Sequence, residues 1–402
     1  MKSNQELKHC IKYKQNSMAI RVNPEFINEL DRFGAEDVQL CYQCGDCSTV
    51  CPHADEVYRF PRKSMKLLQM GLEQKIETTL EPWLCYYCGQ CSEQCPREAD
   101  PGETMMSLRR WLISKYDFTG ISRAFYKSRT VEVLTIIFVA ILTGALLLYY
   151  GFTNGNIGIY DGEGAFLPSH FVHRFDLSVG AILLVFLLIN AFRMWKMVMV
   201  RGTNFPVPWW LYIKKFYQLP WHFFTQKRYS ECEKKRGHKI YMPWLIHLGL
   251  MLGYVTMLVL VMVFVELLQK GPEIRWEVHV FGYLATIGLL AGTIYFIRGR
   301  FKKHYIQYKK SHGTDWVFVI LLFMIVITGI SQHIFHRTGL IEMANITYVI
   351  HLMSAVPWLL RMPFTKWAHL VYRPLAMYFA SIRREAIERD TAVKELYPLV
   401  IK

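Results

Sequence analysis

Cys41-Tyr-Gln-Cys44-Gly-Asp-Cys47-Ser-Thr-Val-Cys51-Pro52 recurs, 44 residues on, as Cys85-Tyr-Tyr-Cys88-Gly-Gln-Cys91-Ser-Glu-Gln-Cys95-Pro96. Both copies spell Cys-x2-Cys-x2-Cys-x3-Cys-Pro, the bacterial run that ligates a pair of 4Fe–4S clusters. Each iron of a cube needs one thiolate. The three close cysteines wrap one cube, and the cysteine before proline reaches the other. The spacing therefore predicts one cluster on Cys41, Cys44, Cys47 and Cys95 and another on Cys85, Cys88, Cys91 and Cys51. Zinc also uses paired Cys-x2-Cys units. It closes with four ligands in two pairs, however, and explains neither the third close cysteine nor the Cys-Pro ending. Cys10 and Cys232, the two cysteines outside the runs, read as free thiols without a metal role.

Around the runs the chain is built for lipid. Of its 402 residues 52% are apolar and 15% aromatic, and a span needs roughly 20 apolar residues to cross a core about 30 Å thick. Six stretches qualify: 131–150, 172–198, 241–268, 276–297, 316–335 and 345–372, the last weakened by Arg361, Pro363 and Lys366. The net charge of +15 is not spread as a nucleic-acid surface. Lys and Arg crowd the segment before the first span, every second loop (Lys214 to Lys239, Arg298 to Lys310) and the segment after the sixth, whereas 151–171 has none. This alternation is the positive-inside pattern, and it puts both termini in the cytoplasm. The polar start lacks the apolar core of a secretory signal. The cysteines are thus expected on the cytoplasmic side, where thiols stay reduced.

The fold expected is mainly α. A polar arm (1–30) precedes a helical di-cluster domain (31–120), a membrane domain of six helices (121–372) and a cytoplasmic tail (373–402), read as an exposed helix. Between the runs, Pro61 to Gly71 has apolar residues at helical spacing and a glycine to stop it; Glu103 to Ile113 reads as a second amphipathic helix. The aromatic and cationic loop 199–240 is expected to rest at the membrane interface.

Ionisable groups inside spans are functional candidates. His351 and His369, both in the sixth span, are 18 residues apart, which is five full turns, so they are expected on one helix face about 27 Å apart along the axis. That is an arrangement for axial ligands to two stacked haems. His247, about two turns into span three, matches His369 in depth. For His351 the partner is open among His279, His173 and Met257. No acid–base or nucleophile constellation and no Cys-Cys-Gly motif occurs, so substrate chemistry belongs to another chain.

Residues 35–115 resemble the C-type iron–sulfur subunit of heterodisulfide reductases. The likeness rests on both cysteine runs, Phe60-Pro-Arg-Lys to Leu72, Trp83-Leu-Cys85, and Cys95-Pro-Arg to Arg110. Spans two to six resemble the cytochrome b subunits of nitrate reductases and membrane heterodisulfide reductases, through Leu245-Ile-His247-Leu-Gly249, His351-Leu and Pro363-Phe to His369. That family's fourth ligand, ten residues after the first, falls on Met257. The fusion is similar to the membrane subunit of quinone-interacting membrane-bound oxidoreductase (Qmo) complexes of sulfur-metabolising prokaryotes. The resemblance implies two 4Fe–4S clusters, haem b and exchange of electrons with menaquinone. It also implies flavin- and iron–sulfur-containing A and B partners of the heterodisulfide reductase A type, and a link to adenylylsulfate reductase in sulfate reduction. The same features serve an electron-transfer subunit of a membrane heterodisulfide reductase, or a cluster-bearing membrane anchor without haem.

Overall fold

The computed structural model describes residues 21–153, 169–234, 242–264, 276–303 and 305–389. Cys10 lies outside them, as do residues 1–20 of the polar arm and 390–402 of the tail. Among the described residues the regular structure is helical, with no strand. In chain order the helices are α1 (Phe26–Asp31), α2 (Asp46–Thr49), α3 (Arg62–Gln69), α4 (Glu73–Glu77), α5 (Glu81–Leu84), α6 (Gln90–Glu93) and α7 (Pro101–Tyr116). Then come α8 (Ile121–Lys127), α9 (Arg129–Thr153), α10 (Ser169–Trp195), α11 (Trp210–Lys214), α12 (Gln218–Thr225) and α13 (Lys227–Lys234). The last are α14 (Met242–Val263), α15 (Trp276–Lys302), α16 (Ile306–Lys309), α17 (Gly313–Arg337), α18 (Ile341–Leu360) and α19 (His369–Arg389).

Two compact units form, and neither is continuous in sequence. The first gathers described residues of Met1–Arg123, Ile189–His238 and His369–Lys402; the second those of Ala124–Leu188 and Lys239–Ala368.

In the first unit, α7 is the central helix. Asp100 caps its N-terminus by accepting from the Glu103 N–H, Pro101 starts its first turn, and Glu103 lies where the helix dipole favours an acid. Most of α7 is buried, including Trp111 and Tyr116, which join Phe26, Trp83 and Tyr372 in a core of fully buried rings. Burying each such ring contributes roughly 2–3 kcal/mol. The Trp83 indole N–H donates to the Tyr116 hydroxyl at 3.3 Å. Helix α19 belongs to this unit as a packed element. Tyr372, Ala376, Phe379, Ile382 and Ile387 are buried, and Arg384 pairs with Asp55. The exposed tail helix read from its charges is thereby corrected: Glu388 and Arg389 face out, while Arg383 and an apolar stripe are covered.

The second unit holds long apolar helices. Among the described residues of the whole chain, six helices are long and apolar enough to cross a membrane: Arg129–Tyr150, Arg174–Arg201, Met242–Val263, Trp276–Lys302, Gly313–Arg337 and Ile341–Leu360. Large side chains such as Phe138, Leu184, Leu188 and Ile287 point outward, as lipid-facing helices require. Helices α14 and α15 approach closely through Gly249, Gly253 and Gly288. A Cβ on Gly253 would stand 2.7 Å from the Ala285 carbonyl oxygen, and one on Gly288 2.7 Å from that of Gly249, the small-residue packing of membrane helices. A core of Leu183, Leu289, Leu322, Val326, Trp358 and Met362 fills the middle.

The sixth span is shorter than its apolar run. Helix α18 stops at Leu360, and a new helix begins at His369. Arg361 turns into a buried ion pair with Glu132, Lys366 pairs with Asp315 at 3.1 Å, and Pro363 disfavours helix in the residue before it. His351 and His369 therefore do not share one helix face. His351 sits near the middle of α18, and His369 opens α19 beyond the span.

Candidate iron–sulfur site

Each cysteine run folds the same way. The first cysteine is extended, the residue two positions on has positive φ (Gln43 at 61°, Tyr87 at 56°), and a left-handed glycine (Gly45 at 103°, Gly89 at 82°) starts a one-turn helix, α2 or α6. Glycine adopts that φ without the Cβ penalty. In both loops a backbone N–H points back at the first sulfur: Gln43 N–H to Cys41 Sγ at 3.4 Å and Tyr87 N–H to Cys85 Sγ at 3.3 Å. Such N–H···S bonds stabilise thiolate ligands and tune cluster potential.

Helices α2 and α6 pack against each other, and this crosses the two runs. Cys47 lies within electrostatic reach of Cys41, Cys44 and Cys95, and Cys91 within reach of Cys85, Cys88, Cys51 and Cys47. Among the described residues no three His, Cys, Asp or Glu side chains converge on a single-ion site. Burial, then neighbouring thiolates, pushes the Cys47 thiol up to about 11 and the Cys51 thiol up to about 12. Thiols so grouped stay protonated at neutral pH without a cation beside them, so metal binding there would release protons.

The quartets differ in surroundings. In the first set Cys44 is exposed, Cys41 and Cys95 are half-buried and Cys47 is buried; in the second Cys51 and Cys88 are half-buried and Cys85 and Cys91 are buried. The Cys41 carbonyl accepts from the neutral Gln69 amide at 2.8 Å. The Cys85 carbonyl instead accepts from two guanidiniums, Arg109 and, at 3.0 Å, Arg373. Arg373 also lies 3.8 Å over the Tyr86 ring. Burial, with Arg373 adding to it, lowers the Arg109 pKa to about 9, so this cation is held where a cluster's negative charge can use it. Glu103 closes the second loop by bonding Arg110 at 2.8 Å and the Tyr87 hydroxyl at 2.5 Å.

The second quartet opens on a recess of about 360 Å³ lined by Cys51, Cys85, Cys88 and Cys91, and also by His53 and Cys232. Cys232 is on α13, is 1% exposed, and hydrogen-bonds Cys88. Sequence reasoning set it aside as an inert thiol. No motif surrounds it, and only the folding of segment 210–234 onto the cluster domain reveals it. Tyr229 of the same helix stacks on Tyr86, ring centroids 5.6 Å apart. The loop is thus anchored in this unit, while Trp209, Phe216, Tyr217 and Trp221 remain exposed. Arg109 and Arg373 were likewise legible only as charges.

Residues 28–99 match the 4Fe–4S dicluster domain family. The dicluster domain is also similar to two curated archaeal proteins. One, from Archaeoglobus profundus, is named as like the C-type subunit of heterodisulfide reductase and is 38% identical over 93 residues (23% of this chain, 48% of the relative). The other is the C-type iron-sulfur subunit of the CoB–CoM heterodisulfide reductase of Methanopyrus kandleri, 38% identical over 71 residues (16% and 37%). The chain thus spans about half the length, or less, of these relatives. No solved structure matches.

The membrane histidines lie as follows. His247, on α14, meets the Phe296 ring edge-on at 6.1 Å. His351 Nδ1 is 3.0 Å from Thr328 Oγ1, whose hydroxyl donates to the Met324 carbonyl at 2.7 Å. His351 therefore donates from Nδ1 and keeps its lone pair on Nε2. A Cβ at Gly329 would stand 3.1 Å from that ring, so glycine makes room for it. His279 is buried and lies 5.7 Å from the His333 ring, and Tyr283 bonds His333 Nε2 at 2.9 Å. Met257 packs on the apolar core of the second unit. His173 is in α10, its side chain outside the described residues. His369 opens α19 in the first unit.

Proposed function

We propose that this chain is the membrane electron-transfer subunit of a quinone-linked oxidoreductase complex. It exchanges single electrons between a menaquinone pool and flavin-containing A and B partners of the heterodisulfide reductase A type. The observation that carries the reading is a 4Fe–4S dicluster domain in a chain whose described residues also include six helices fit to span a membrane. Clusters and haem b supply one-electron chemistry when bound. The chain's own groups do the rest. Cys41, Cys44, Cys47 and Cys95 hold one cluster and Cys85, Cys88, Cys91 and Cys51 the other, while Arg109 and Arg373 offset charge at the second. The Lys- and Arg-rich loops orient both termini and the dicluster domain to the cytoplasmic side.

For haem b the ligands proposed are His247, His369 and His351, with the remaining position taken by Met257, His279 or His173. The His351 tautomer supports it, because a hydrogen bond at Nδ1 aims Nε2 at a metal. The dicluster relatives, by their names, favour a heterodisulfide reductase-type assembly. The fused membrane part favours the Qmo type, linked to adenylylsulfate reductase.

Dithionite-reduced minus oxidised spectra of the purified protein should show a haem b α-band, and His247→Ala and His351→Ala should each lower haem content. No α-band would reduce the chain to a cluster-bearing anchor. A co-purifying Cys-Cys-Gly protein would assign it to heterodisulfide reductase; adenylylsulfate reductase would assign it to the Qmo type.

A further inference from the structure

The second quartet has a fifth sulfur beside it, and that sulfur has a directed partner. His53 Nε2 lies 2.9 Å from the Arg228 carbonyl and 3.0 Å from Cys232 Sγ. A carbonyl only accepts, so the proton is on Nε2, and His53 presents an N–H to the Cys232 sulfur. Cys232 in turn hydrogen-bonds Cys88. With an N–H donor on one side, its own S–H points to the other, at Cys88. The chain His53 N–H···Sγ Cys232–H···Sγ Cys88 is buried, with His53 5% and Cys232 1% exposed, and it ends on a proposed iron ligand in the wall of the recess. Cys44, the counterpart of Cys88 in the first run, is exposed.

We infer that Cys232 is a positioning residue of the second cluster: held by His53, it donates a hydrogen bond to the Cys88 thiolate and raises the reduction potential of that cluster alone. This rests on the iron–sulfur reading above. The physical reason is charge. Reduction adds an electron to a cluster that is already anionic, and a donor hydrogen bond on a ligand sulfur favours the more negative state. Hydrogen bonds to sulfur are among the levers that set these potentials. Low effective dielectric strengthens the effect in the interior.

The test is an EPR-monitored redox titration of the purified full-length protein in detergent, with iron counted in each sample. Cys232→Ala should keep the wild-type iron content and lower the midpoint of one cluster by about 59 mV, a tenfold change in a one-electron equilibrium, with the other cluster unmoved. Cys232→Ser, which restores an O–H donor, should return most of the shift. His53→Gln should move the same cluster in the same direction by less. If Cys232→Ala costs the whole domain its clusters, the serine and His53→Gln variants carry the test. Full iron with both midpoints unchanged overturns the proposal. So does loss of one cluster's iron in both Cys232→Ala and Cys232→Ser, which would make Cys232 a ligand. Wild-type protein without iron or acid-labile sulfide would instead overturn the cluster reading itself, and this inference with it.

Discussion

The two cysteine loops share one local fold and sit in two different environments. Both have the positive-φ residue, the left-handed glycine and the N–H···S bond, because both have the same sequence pattern. The first is half open to water and braced by the neutral amide of Gln69. The second is enclosed and braced by Arg109 and Arg373, and it borrows Cys232 from a helix far along the chain. The loop geometry is a local property. The electrostatics come from distant parts of the chain, so two clusters with matching motifs need not have matching potentials. Burial disfavours the extra electron, while a buried cation, Arg109, and a half-buried one, Arg373, favour it. The comparison becomes testable by removing one contribution at a time.

The largest effects come from the ligands. Cys47→Ala and Cys91→Ala should each cut iron and acid-labile sulfide by about half. Because cluster binding is folding energy, Cys91→Ala, at the enclosed site, should lower the thermal unfolding temperature more. Equal losses would erase the distinction between an open and a buried site.

Next comes charge. Arg373→Met should lower the midpoint of the second cluster by about 60 mV, tenfold for one electron, and leave the first in place. A shift of both would mean the guanidinium acts as general surface charge. Gly45→Ala and Gly89→Ala should each cost about 1–2 kcal/mol from the left-handed conformation. Equal penalties, read from unfolding curves, would confirm that the loops are locally equivalent.

The smallest effect lies on α19, the helix that carries Arg373. Glu385 accepts from Lys214 at 2.6 Å, Lys215 at 2.8 Å and Arg389 at 2.7 Å, which holds its carboxyl down at about 2. A depressed carboxyl stabilises above its unfolded value of about 4.3 and loses that contribution as pH falls toward 2. Glu385→Gln should therefore lower the unfolding temperature by about 1–2 °C at pH 7, with the gap to wild type closing below about pH 4.3.

The sequence made the dicluster domain legible because cysteine spacing within each run is a short-range constraint, and the spans legible because lipid demands long apolar runs. The end of the sixth span was not. Its apolar run continues to residue 372, and what stops the helix is Arg361 finding Glu132 on α9, a partner 229 residues away. The same blindness placed His351 and His369 on one helix and gave α19 the look of an exposed tail. Each error concerns a residue whose role is set by a partner remote in sequence.

The crossing of the two runs is tested most directly by EPR spectra of three reduced variants, Cys44→Ser, Cys88→Ser and Cys95→Ser. Cys95→Ser should alter the same cluster signal as Cys44→Ser and leave intact the one altered by Cys88→Ser. If Cys95→Ser instead reproduces the Cys88→Ser spectrum, each run keeps its own four cysteines and the account is contradicted.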